Sequence, residues 1–130
     1  MTYYIISSKA IKFKLIRHKG IMYQHDGETY ITHHTETGVK NETLHSYLAS
    51  GRVILRAEPH QCKNIEQIRA YYSAHASDKF NYFTANCEQY VSNFQLINGE
   101  YVFFRSPQLA TIIFMLLLFI VAFIKIVKRK

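Results

Sequence analysis

Hydrophobic and polar positions change rhythm three times along this chain of 130 residues. Over residues 10–17 (AIKFKLIR) apolar and basic residues alternate, the period of a half-exposed strand. Residues 20–24 (GIMYQ) predict a second strand and residues 29–34 (TYITHH) a third. His25-Asp26-Gly27-Glu28 lies between them, and Asp-Gly is a hairpin dipeptide because both residues tolerate positive φ. Residues 43–49 predict a short helix stopped by Gly51, and residues 52–57 (RVILRA) a fourth strand before Pro59.

Beyond Pro59 the period becomes helical. Residues 62–77 set Ile65, Ile68, Tyr72 and Ala76 along one side of a helix. In residues 86–97 (NCEQYVSNFQLI), Tyr90, Val91 and Phe94 follow Cys87 at i+3, i+4 and i+7, and Asn98-Gly99 is the helix stop. The last change is to continuous apolarity. Residues 109–124 (LATIIFMLLLFIVAFI) contain no charge, Gly or Pro, and Ile126 and Val127 extend the run past Lys125. As a helix this stretch spans roughly 24–28 Å, at the short end for crossing a bilayer. The pattern predicts an α+β domain over residues 1–106, a small antiparallel sheet packed on helices, and a C-terminal transmembrane helix over residues 107–130.

The opening MTYYIISSKAIKFK has neither a long apolar run nor a small-residue cleavage site, so it does not read as a secretory signal. One apolar helix at the C-terminal end then points to a tail anchor, with the domain on the cytosolic face of an intracellular membrane. Lys125, Lys128, Arg129 and Lys130 beyond the helix pull against that orientation by the positive-inside tendency, although so short a tail crosses easily.

The net charge is +7, and most of the excess lies in that tail and in Lys9, Lys12, Lys14, Arg17 and Lys19. Such a cluster suits nucleic acid or anionic lipid headgroups. With an anchor on the same chain, a membrane surface is the simpler partner and nucleic acid is not expected. The alternative is a solvated strand face. Two cysteines, Cys62 and Cys87, do not make a disulfide scaffold, and the inferred compartment argues against their pairing.

Cys87 stands at the start of its helix behind Asn86, a good N-cap, with Gln89 placed to complete a capping box. Unpaired first-turn N–H groups and the helix dipole favour a thiolate there, and so predict a lowered thiol pKa. The same groups suit an oxyanion. A nucleophilic thiol also needs a base. The candidates are His18, His25, His33 and His34. His18 begins one hairpin strand and His33-His34 end the other, so these are neighbours, while His25 is at the far turn. Strand alternation allows only one of His33 and His34 to share a face with His18. The competing view is an inert thiol with surface histidines. Cys62, Cys87 and the hairpin histidines lack the paired spacing of a zinc site, so no metal or other cofactor is expected.

The order of these pieces resembles a known family. His18-Lys19-Gly20-Ile21-Met22-Tyr23, the Asp26-Gly27 turn, Tyr30-Ile31-Thr32-His33 and Asn86-Cys87-Glu88-Gln89-Tyr90-Val91 resemble the signature of the lecithin:retinol acyltransferase-like family. That family includes small phospholipase A/acyltransferases and has a permuted NlpC/P60 papain-like fold. Asn98-Gly99 and Ser106-Pro107-Gln108 resemble its lead-in to a membrane anchor. The resemblance spans roughly residues 8–108. Lys19 stands where an aromatic residue or His is usual, and Gln89 where the cysteine box usually has His.

The resemblance implies Cys87 as nucleophile, His18 as general base and His33 as the residue that orients His18, with His34 the rival for the last role. It implies attack on a glycerophospholipid ester through an acyl-thioester, without a metal or cofactor. Two other readings share the same residues. One is a non-catalytic binding or membrane-remodelling protein of the kind seen among viral H-box/NC proteins. The other is a papain-like cysteine peptidase or amidase.

Overall fold

The Asp-Gly turn organises the first half of the chain. In the computed structural model, which describes residues 1–9, 17–81, 86–100 and 107–129, Asp26 and Gly27 both take positive φ (50° and 77°). That left-handed pair matches the natural strand twist and closes a two-residue hairpin. The hairpin joins β2 (Arg17–His25) to β3 (Glu28–Thr35). Around it, β1 (Thr2–Lys9), β4 (Gly38–Thr43) and β5 (Ile54–Gln61) complete an antiparallel sheet of order β4-β3-β2-β1-β5.

Each face of the sheet has its own core. Tyr3, Ile5, Ile21 and Tyr23 meet Ile68 and Tyr71 of α2 (Ile65–His75) and Tyr90, Val91 and Phe94 of α3 (Cys87–Ile97). On the other face Ile6 and Ile31 meet Tyr47 of α1 (Leu44–Ala49), with Met22, Leu44 and Ile54 around them. The observed class is therefore α+β, and helices cover both faces of the sheet. Pro59 falls inside β5 instead of ending it. An edge strand tolerates proline because its outer side needs no ladder N–H.

Asn98 and Gly99 end α3, with Gly99 at φ 80°. Just beyond, the Glu100 carboxylate accepts from the Tyr3 hydroxyl, from Gln95 Nε2 at 3.0 Å and from Asn98 Nδ2 at 2.9 Å, and it pairs with His60 Nδ1 at 2.7 Å. These bonds clasp the end of α3 to β1 and β5, and they hold the Glu100 carboxyl below the usual carboxylate range despite burial. Cys62 is buried, and neither cysteine is in a disulfide.

The final helix, α4 (Pro107–Lys128), is the one helix among the described residues long and apolar enough to cross a membrane. Its span Ala110–Lys128 buries nothing against the rest of the chain, so it is not a core helix. The strand expected over residues 10–17 falls mostly on residues 10–16, outside the described residues.

Candidate functional site

Asn86 is extended (φ −126°, ψ −179°), and its Oδ1 accepts the Gln89 N–H at 3.0 Å, fixing where α3 begins. The buried stripe of Tyr90, Val91 and Phe94 then seats α3 on β2 and β3. This brings Cys87 to the first residues of β2. Its sulfur lies against the backbone N–H groups of Lys19 and Glu88. The β2–β3 ladder stops at Ile21–Thr32 and so does not include Lys19. Lys19 also grips α3 through its side chain, with Nζ 2.9 Å from Glu88 Oε1. Lys19 is thus a paired cation in the basic cluster, not a free one.

His18 precedes Lys19, so its side chain projects to the opposite face of β2, the face covered by α1. There His18 Nε2 is 2.8 Å from Nδ1 of His33, and His33 Nε2 is 2.8 Å from Glu42 Oε2 on β4. His33 is fully buried. The two rings meet edge to face, with centroids 4.9 Å apart, and Tyr47 packs against both. Burial raises the Tyr47 pKa, and Cys87 lies close enough to Tyr47 for its charge to add to the rise. Cysteine, two histidines and glutamate therefore gather at one end of the β2–β3 pair. His34 is elsewhere. It points to the α2/α3 face, donates from Nε2 to the Asp78 carbonyl at 3.1 Å, and packs edge-on to Phe80 and Tyr90. His25 sits at the hairpin turn, 3.2 Å from Asp26.

Gly20 lets the two histidines meet. It lies between them on the same face, and a Cβ there would come 3.1 Å from Ile31 Cγ2 and 3.3 Å from His33 Cβ. Its φ is ordinary, so the requirement is space alone. Gly20→Ala is expected to push His33 away and to cost about 1–3 kcal/mol by overpacking. Urea unfolding checks this cost, and an unchanged midpoint would refute it.

Electrostatics corrects one expectation. The Cys87 thiol pKa is raised, not lowered. Burial is the largest cause, and it outweighs the two N–H groups and the Lys19 charge, with Glu88 adding to the rise. The histidines move the other way. Burial, His33 and Arg52 depress His18 to about 3, and burial depresses His33 to about 4 against the pull of Glu42. At neutral pH Cys87 is therefore a thiol and His18 a neutral imidazole.

Glu42, Tyr47 and Arg52 were not evident beforehand as parts of the site. The signal for Glu42 lies in strand register. The pairing of Ile31 with Glu42 and His33 with Lys40 puts the carboxylate diagonally beside His33, but only once residues 38–43 are read as a strand. Arg52 stacks over the Tyr47 ring at 5.1 Å, which places a cation beside the histidines.

No protein-family model matches the chain, and no curated protein or solved structure is significantly similar to it.

Proposed function

We propose that this chain is a membrane-anchored thiol acyltransferase or phospholipase A that acts on glycerophospholipid esters through an acyl-thioester on Cys87. The observation that carries this reading is the His18–His33 pair, 2.8 Å apart, on the residue next to the one whose backbone N–H meets the Cys87 sulfur. A neutral imidazole that comes within reach of a thiol accepts its proton as the sulfur attacks. Attack on the ester carbonyl forms the C–S bond and an oxyanion, and the first-turn N–H groups of α3 are positioned to stabilise negative charge. Collapse breaks the ester C–O bond. His18 returns the proton to the departing lysophospholipid alkoxide. Water, an amine or a second lysolipid then takes the acyl group from sulfur.

The helix α4 supports a lipid substrate. Anchored in a membrane, it would hold the domain at the bilayer surface and raise the local substrate concentration. The site pieces and their order resemble the lecithin:retinol acyltransferase-like family, and a five-stranded antiparallel sheet with a cysteine-led helix is compatible with a permuted NlpC/P60-like fold. The raised thiol pKa favours a second reading, a non-catalytic binding or membrane-remodelling protein.

Mass spectrometry separates the readings. The full chain, reconstituted in phosphatidylcholine vesicles, should gain an acyl-sized mass that is absent from Cys87→Ala. No adduct and no released fatty acid would reject the lipid enzyme and leave the binding protein. Cleavage of a peptide library without lipid turnover would instead favour a cysteine peptidase or amidase.

A further inference from the structure

We propose that Glu42 is a positioning residue that fixes the tautomers of His33 and His18, so that the bare ring nitrogen of His18 is Nδ1, the atom left to take the Cys87 proton; this rests on the thiol reading above. The argument is a count of hydrogens. An ionised carboxylate can only accept hydrogen bonds. Glu42 Oε2 is 2.8 Å from His33 Nε2, and Oε1 accepts the Ser46 hydroxyl at 3.1 Å. His33 Nε2 must therefore carry the ring hydrogen. A neutral imidazole has only one, so His33 Nδ1 is an acceptor. The partner of Nδ1, at 2.8 Å, is His18 Nε2, which must donate. That fixes the single hydrogen of His18 on Nε2 and leaves Nδ1 with a lone pair. The reverse order would put a hydrogen on His18 Nδ1 and block proton transfer from sulfur.

The surroundings keep every member in the required state. Burial disfavours a positive charge on either ring, and Arg52 just before β5 and Lys40 on β4 add to this at His33, as His33 and Arg52 do at His18. Against the effect of burial, the bonds from His33 and Ser46 and the charge of Arg52 hold the Glu42 carboxyl below the usual carboxylate range, so it is ionised at neutral pH. Among the described residues, Tyr47 on α1 and Cys87 and Glu88 on α3 are the remaining titratable groups packed around the two rings and the sulfur. Lys19 is occupied by Glu88. Glu42 touches neither sulfur nor substrate in this scheme and never takes the proton. It acts through His33.

The test is histidine tautomer spectroscopy on the full chain in detergent micelles at pH 7, using long-range ¹H–¹⁵N correlations. In the wild type, both His18 and His33 are expected to show protonated Nε2 and bare Nδ1. A hydrogen on His18 Nδ1 would overturn the proposal with no variant needed. Glu42→Leu is expected to mix the tautomers and to slow acylation of Cys87 by p-nitrophenyl butyrate by about 10²-fold or more, as a wrong tautomer does in a thiol or serine relay. Glu42→Gln still offers an amide oxygen to His33 Nε2, so it should restore the tautomers and most of the rate. Unchanged tautomers in Glu42→Leu would refute the role of Glu42. Correct tautomers, mixing in Glu42→Leu and no acylation even of wild type would support the role of Glu42 while rejecting the enzyme reading.

Discussion

Replacing His18 with alanine is expected to slow acylation of Cys87 at pH 7.5 by about 10³-fold, within the 10²–10⁴ range of a general base. The effect should be large because the thiol needs help. Burial raises the Cys87 pKa, so little thiolate exists at neutral pH without a proton acceptor. Helix-terminus N–H groups alone do not overcome that burial. Loss of the base should therefore appear in the acylation rate constant more than in substrate affinity. The variant should also regain activity toward alkaline pH, as hydroxide removes the proton that His18 no longer takes. Stopped-flow measurement with p-nitrophenyl butyrate from pH 6 to 10 checks both points. A flat profile with wild-type rate at pH 7.5 would show that His18 is not the base. His34→Ala is the control. That ring lies on the other face of the sheet and should leave the rate within a few-fold of wild type.

Acid is expected to destabilise the domain from about pH 6.5 downward, before most carboxylates titrate. His18 and His33 have folded pKa values of about 3 and about 4, against about 6.5 in the unfolded chain. Below pH 6.5 the unfolded chain binds protons that the folded chain refuses. The stability that these neutral rings contribute is complete above pH 6.5 and is lost as pH falls toward 4 to 3. Each histidine gives a slope of up to about 1.4 kcal/mol per pH unit, so the pair removes roughly 3–5 kcal/mol between pH 6.5 and 4.5. That is a large share of the ~5–15 kcal/mol that holds a domain together. The lowered Glu42 and Glu100 carboxyls add a loss of the same sign at still lower pH. Urea midpoints at pH 7 and pH 4.5 measure the effect. A midpoint that does not fall would mean that the histidines are not held neutral in the fold.

Much of this architecture was legible because it rests on local rules. The Asp26-Gly27 hairpin, the Asn86 cap, the stripe of Tyr90, Val91 and Phe94, and the apolar run of α4 all announce themselves within a few residues. β1 did not. Ile5 and Ile6 are adjacent and both buried, one against each face, which breaks the apolar/polar alternation that a half-exposed strand would show. β4 failed for the opposite reason. GVKNET is an edge strand with no fully buried residue, and it reads as a polar loop. The site followed suit. Alternation separated His33 from His34 as possible neighbours of His18 but could not choose between them. Glu42 depends on the register of the strand that was missed, and the rise in the Cys87 pKa depends on burial, which a capping rule does not contain.

The Glu100 clasp also has a mechanical meaning. Among the described residues, the ties of Glu100 to Tyr3, Gln95, Asn98 and His60 are the last in the chain before α4, and they would take up tension if α4 were held in a membrane. Those ties pass the load into the two paired strands β1 and β5, while Cys87 sits at the other end of α3. A pull on Glu100 would thus be borne by β1 and β5 before it could shift the sulfur from its place beside Lys19.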